Sequence, residues 1–262
     1  MLDIAEIDAD FHKSDYFVNR KIGLVALRTD HLIEDSLRQI LGPFNLAMLT
    51  NRIRFNDPVN TENLKAMAQD LDRVVGDILP GKALDLVIFG CSSGAAAIGE
   101  EKLAAKIKAI KPSAKVTNPV TAAVASFAAL GVKKISVITP YSRAVNESIA
   151  DFFSSKGYQV LNIAGFNQGD DADITRIDPQ AIVAAAKQYA HPEAEALFLS
   201  CTALRATDVI EEIEQALNLP VVSSNQALAW HALNLMAVTQ EVQGYGRLFQ
   251  CKLPSGNMGE EA

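Results

Sequence analysis

Asp85-Leu86-Val87-Ile88-Phe89-Gly90-Cys91-Ser92-Ser93-Gly94 is an apolar run that ends in a glycine, a cysteine and a polar turn. Ala196-Leu197-Phe198-Leu199-Ser200-Cys201-Thr202-Ala203 has the same plan further along the chain. Each run has the length and composition of a buried parallel strand, and each is followed by a helix-like stretch. Both cysteines are thereby placed at the carboxyl end of a strand, the edge where open α/β sheets bind ligands. A helix N-terminus beside a thiol favours its ionisation, so the local sequence predicts two activated thiols. The bland reading of either cysteine is a small buried hydrophobe. The matched polar contexts favour a paired active site.

Working outward, the same strand–turn–helix grammar recurs. Lys21 to Leu27 reads as the first strand, followed by the loop Arg28-Thr29-Asp30-His31 and a helix from Leu32 to Leu41 that stops at Gly42-Pro43. A strand at 45–50, a loop over 51–60 and a helix over 62–79 capped by Thr61 come next. A helix from about Ala95 to Ile110, a short strand at Val116-Thr117 and an alanine-rich helix from Pro119 to Leu130 complete the first half. The second half repeats the pattern: strands at 134–139, 160–163, 196–200 and 221–222, with helices over 144–155, 179–189, 208–217 and from Ser223-Ser224-Asn225 to about Val238. Cys91 and Cys201 are 110 residues apart, the same offset that separates Thr29 from Thr139. The expected fold class is therefore α/β, with two similar lobes whose cysteine edges face one cleft. The first lobe covers 20–131 and is closed by the C-terminal helix; the second covers 132–238, and 239–262 form a tail, disordered from Pro254.

Composition narrows the function. Of the 262 residues 49% are apolar, enough for a substantial core, and only 6% are aromatic, as in helices packed on parallel sheets. The formal charge of −7 opposes a nucleic-acid or anionic-membrane surface. The acidic start lacks the order of a signal peptide, and the uncharged stretch 220–240 is too polar to span a membrane. Three cysteines without a CxxC suit a reducing cytoplasm. The four histidines have no metal-ligand spacing, so no metal is expected. A homodimer is a possibility, since the small residues at Ala122–Ala129 suit close helix packing in the core or in a dimer.

Two thiols on either side of one carbon suit proton removal from one face and delivery to the other. The enediolate formed next to a carboxylate needs donors, and the turn N–H groups and hydroxyls of Ser92, Ser93 and Thr202 supply them. Tyr141, in Thr139-Pro140-Tyr141, is either a donor to the substrate or a half-exposed loop residue. Asp30 is either a ligand for a cationic or hydroxyl group or a helix cap, and Asn225 is either a cap or a ligand donor. Asp170 and Asp171 read as loop acids. His231 reads as packed, and Cys251 has no assigned role.

Gly90-Cys91-Ser92-Ser93-Gly94, Thr139-Pro140-Tyr141, Ser200-Cys201-Thr202-Ala203-Leu204-Arg205 and Ser224-Asn225-Gln226-Ala227, in this order, resemble the Asp/Glu racemase superfamily. Within it they resemble the branch of maleate isomerases and arylmalonate decarboxylases, and most of all the ectoine-utilisation (EutA) group. The resemblance implies two pseudo-symmetric flavodoxin-like lobes, no cofactor, catalytic Cys91 and Cys201, and Tyr141 close to a small carboxylate substrate. In racemases of this kind the cysteines exchange protons; in maleate isomerases one adds to the alkene; in arylmalonate decarboxylases a single cysteine protonates an enediolate. Maleate isomerases have asparagines where this chain has Asp30 and Asp171. Acids there disfavour a dianion, so the expected substrate is amino-acid-like, and the expected reaction is racemisation or isomerisation by two opposed cysteines.

Overall fold

The computed structural model describes residues 4–10, 20–56 and 58–252. The expected disorder from Pro254 lies outside them. In the first half, β1 (Lys21–Leu27) leads to α1 (Ile33–Leu41) and β2 (Ala47–Ile53). Two short helices follow, α2 (Thr61–Ala66) and α3 (Leu71–Gly76), and then β3 (Leu86–Gly90). Next come α4 (Ser92–Ile98), α5 (Glu100–Ile110), β4 (Lys115–Thr117) and α6 (Pro119–Leu130). The second half contains β5 (Lys134–Thr139), α7 (Arg143–Ser155), β6 (Gln159–Gly165), α8 (Asp171–Thr175) and α9 (Pro179–Tyr189). It ends with β7 (Ala196–Leu199), α10 (Ile210–Leu217), β8 (Val221–Ser223) and α11 (Ser224–Leu235).

The strands form two parallel four-stranded sheets with equivalent orders, β2-β1-β3-β4 and β6-β5-β7-β8. The α/β class and the repeated plan are thus those expected from the sequence. β3 and β7 are inner strands, buried along their whole length, which is why they read as unbroken apolar runs. Their carboxyl ends present Cys91 and Cys201.

Several boundaries differ from the sequence expectation. The expected helix over 62–79 is two helices joined by a tight turn at Met67–Gln69, and its cap is Asn60, whose side chain accepts from the Asn63 N–H; Thr61 is the first helical residue. The expected helix over 95–110 starts at Ser92 and breaks at Gly99, where φ is +92°. In α11 the cap is Ser223 in a reciprocal pairing with Gln226, and Asn225 lies inside the first turn.

The alanine-rich α6 packs against α11 and also reaches the second lobe. Its Phe127 ring lies 5.6 Å from Phe153, 5.3 Å from Tyr158 and 5.7 Å from Phe198, tilted or edge-on. Of its small residues, Ala122 and Ala123 are buried inside the molecule. α11, last in the sequence, lies against α1, α6 and β4 of the first half. Residues 245–251 bind back onto it: Gln226 Nε2 donates to Tyr245 O at 2.7 Å and Trp230 Nε1 donates to Cys251 O at 3.0 Å. No helix among the described residues is long and apolar enough to cross a membrane.

Candidate active site

Cys91 is the N-cap of α4, in extended conformation, and its sulfur accepts the Gly94 N–H at 3.3 Å. Gly94 must be small: a Cβ there would stand 2.5 Å from Met67 Cε and 3.0 Å from the Cys91 sulfur. Cys201 follows β7, and the Ala203 N–H of its own turn opposes, in small part, the effect of burial on its thiol. The turns meet: the Thr202 hydroxyl donates to Gly90 O at 3.4 Å, and the Ser92 and Ser224 hydroxyls lie 2.8 Å apart.

The Ser93 hydroxyl lies 3.7 Å from the Cys91 sulfur. Tyr141 is only 3% exposed, and after burial itself the two thiols are among the groups that raise its hydroxyl, so it belongs to the same buried cluster. The half-exposed reading of Tyr141 is thus incorrect. The Thr139 hydroxyl, which accepts the Tyr141 N–H at 3.1 Å and donates to Asn146 Oδ1 at 2.6 Å, fixes the turn.

Asp30 is buried and divides its carboxylate between two tasks. Oδ1 accepts the Leu32 and Ile33 N–H groups at 2.8 and 3.0 Å, which is the capping reading. Oδ2 has no partner. Arg52 secures this loop by donating to Asp30 O at 2.7 Å and pairing with Glu34. Asp171 is the first residue of α8 and also buried; it accepts the Thr29 hydroxyl at 2.5 Å, joining the first-half loop to the second-half loop. Asp170 is the cap of that helix. The loop-acid reading thus fits Asp170, in a capping role, but not Asp171.

Three buried side-chain atoms among the described residues lack a hydrogen-bond partner: Asp30 Oδ2, Ser200 Oγ and Asn225 Oδ1. All three belong to residues at strand ends, after β1, β7 and β8. Buried polar atoms are rarely left unpaired unless a ligand or water completes them. The Asn225 amide is anchored by donating to Thr202 O at 2.8 Å, which leaves its oxygen as the unpaired atom.

The electrostatics overturn one expectation. Burial pushes the Cys91 thiol up to about 12 and the Cys201 thiol well above its ordinary value, and the charges of Asp171 and Asp30 push both in the same direction. α4 is only seven residues long, so its N-terminal amide offsets burial only in part. Burial also raises the Tyr141 hydroxyl well above 10.0. Both thiols are therefore protonated at neutral pH.

All nine residues singled out in the sequence, Asp30, Cys91, Ser92, Ser93, Tyr141, Asp171, Cys201, Thr202 and Asn225, are buried near the carboxyl edges of the two sheets. Two partners went unrecognised, Thr29 and Ser224. His231 is packed, as expected, with Nδ1 2.8 Å from the Thr117 hydroxyl. No group of three or more His, Cys, Asp or Glu among the described residues is arranged to hold a metal ion.

A two-lobed α/β protein with a thiol from each lobe defines a class, and comparison with known proteins identifies the family. The family profile for arylmalonate decarboxylase matches residues 96–249. This chain belongs to the arylmalonate decarboxylase family. The matched region contains Cys201 and begins after Cys91. The chain is 24% identical over 242 residues to a maleate isomerase of Nocardia farcinica, covering 88% of this chain and 96% of that protein. It is 33% identical over 141 residues to an arylmalonate decarboxylase of Bordetella bronchiseptica, covering 51% of this chain and 57% of that one. The fold matches that of the maleate isomerase of Pseudomonas putida S16 with maleate, with a TM-score of 0.81 at 19% identity over 88% of this chain and 97% of the other. It also matches a Nocardia farcinica maleate cis-trans isomerase carrying a covalently bound succinylcysteine intermediate, with a TM-score of 0.80 at 22% identity over 88% and 98% of the two chains.

Proposed function

We propose that this chain is a cofactor-independent isomerase of a small amino-acid-like carboxylate, in which Cys91 and Cys201 exchange protons with opposite faces of one carbon. The observation that carries this reading is the pair of buried carboxylates, Asp30 and Asp171, whose charges weigh on both thiols. A cationic nitrogen placed at the unpaired Asp30 Oδ2 would cancel that charge and ease formation of a thiolate. A dianion would add to it. One thiolate then removes the α-proton while the opposite thiol supplies one, and the Gly94 and Ala203 turns, Ser92, Thr202 and Asn225 offer donors to the carboxylate and the enediolate. The particular likeness to the ectoine-utilisation group, and the division into lobes at 131/132, belong to this reading.

A second reading is cis–trans isomerisation through covalent addition of a cysteine to an alkene. It is favoured by the maleate isomerases that match most of the chain and by the succinylcysteine seen in one of them. The two Asp residues oppose it. The test is a panel in D2O comprising maleate, L- and D-aspartate, and N-acetylated amino acids. The proposal expects deuterium at the α-carbon of an amino-acid-like compound and inversion of its configuration. Turnover of maleate alone, with a cysteine adduct of matching mass, would replace it with the second reading. Carbon dioxide release from an arylmalonate would replace it with decarboxylation.

A further inference from the structure

Two of the three unpaired buried atoms cannot donate. Asp30 Oδ2 is a carboxylate oxygen and Asn225 Oδ1 an amide oxygen, so each is completed only by a group that brings an N–H or O–H. The third, Ser200 Oγ, can act either way and stands directly before Cys201. Asn225 is held in one orientation. Its Nδ2 donates to Thr202 O at 2.8 Å, and turning the amide over would set two carbonyl oxygens against each other. Its backbone is held too, because Ser223 and Gln226 cap each other's N–H groups around it at 3.0 and 3.2 Å. At 1% exposure, bulk water does not reach it. Each acceptor follows a strand that pairs with a thiol-bearing strand: β1 with β3 for Asp30, and β8 with β7 for Asn225.

We propose that the site takes a carboxylate with two donor groups: the α-ammonium at Asp30 Oδ2, and a second N–H or O–H, carried on the side chain, at Asn225 Oδ1. Asn225 is thereby the residue that sets side-chain specificity. The inference rests on the reading of Asp30 as the ammonium ligand of the proposed function. The second N–H of the Asn225 amide stays available to the carboxylate or the enediolate. An apolar side chain would leave Asn225 Oδ1 buried and unpaired, and a carboxylate side chain would set oxygen against oxygen. A site built around a buried acceptor rejects the analogue that lacks the donor far more strongly than an apolar pocket rejects the loss of a methylene.

The test compares size-matched amino acids on the intact protein, in both α-configurations: asparagine with leucine and aspartate, glutamine with methionine and glutamate, and threonine with valine. Calorimetry reads binding, and α-deuteration in D2O reads turnover. In at least one set the donor-bearing member should bind about tenfold or more tighter than the members that lack the donor, with kcat/KM following. Asn225→Leu should abolish that preference, a ratio between ligands on one protein and so independent of the amount folded. The ligand sets on the parent decide the matter even where Asn225→Leu does not fold. Equal affinities within every set, no binding by any member, or a preference that Asn225→Leu leaves intact would overturn the proposal. Donor-selective binding without α-deuteration would leave it standing and overturn the isomerase reading. Deuteration at equal kcat/KM across every set would do the reverse.

Discussion

The protonated state of the thiols can be tested without knowing the substrate. Cys91 is raised from 9.0 to about 12, so at pH 7 its thiolate population lies about a thousandfold below that of an unperturbed thiol. Since only the thiolate attacks iodoacetamide and the sulfur is also shielded, alkylation should be slower by at least that factor. Burial is the largest cause, with Asp171 ahead of Asp30 among the charges. Replacing both acids in Asp30→Asn/Asp171→Asn should therefore recover only part of the loss, about tenfold. The assay is timed alkylation from pH 7 to 10 with mass spectrometry of the Cys91 peptide. Cys251, only partly buried, serves as the internal reference. The same group gives a stability signature. Between 9.0 and 12 the folded protein holds a proton that the unfolded chain releases. The stabilisation is complete below pH 9 and is lost as pH rises toward 12, by about 4 kcal/mol for Cys91. Cys91→Ala should flatten that alkaline decline. Native Cys91 labelled as fast as Cys251 at pH 7, or a double variant no faster than the parent, would refute the reasoning.

Other sites give independent outcomes. Burial lowers His231 from 6.5 to about 4, so the stability it permits is present above 6.5 and is lost as pH falls toward 4, by about 3 kcal/mol. His231→Gln should remove that acid-side slope in denaturant titrations. Gly246 has φ +73°, and a Cβ there would lie 2.6 Å from Ile210 Cγ2, so Gly246→Ala should lower stability by about 1–3 kcal/mol and loosen the C-terminal segment on proteolysis. A double-mutant cycle with Ser92→Ala and Ser224→Ala should return a coupling of about 1 kcal/mol in chemical denaturation, reflecting their 2.8 Å hydroxyl contact.

The sequence carried the fold because its signals are local. Unbroken apolar runs at 86–90 and 196–199 mark inner parallel strands, and Asp178 before Pro179 marks a helix start that the structure confirms. The break at 67–69 was hidden because Met67-Ala68-Gln69 contains neither Gly nor Pro; the bend there is imposed by packing around buried Met67 and Leu71. The residues of the site were legible for the same reason, each standing just after a strand. Their partners were not. Thr29 and Asp171 are 142 residues apart, and Ser92 and Ser224 are 132 apart. The direction of the thiol shifts failed for a related reason. A helix N-terminus is visible in a sequence, whereas complete burial and two carboxylates from different loops arise only on folding.

The central claim is that two opposed thiols serve one carbon, and single-cysteine variants test it most directly. Cys91→Ala and Cys201→Ala, each supplied separately with the two enantiomers of the turned-over compound in D2O, report which face each sulfur serves. The account predicts that neither variant inverts configuration and that each keeps α-deuteration of one enantiomer only, the opposite one for the two variants. A variant that still interconverts the enantiomers at the parent rate would contradict it.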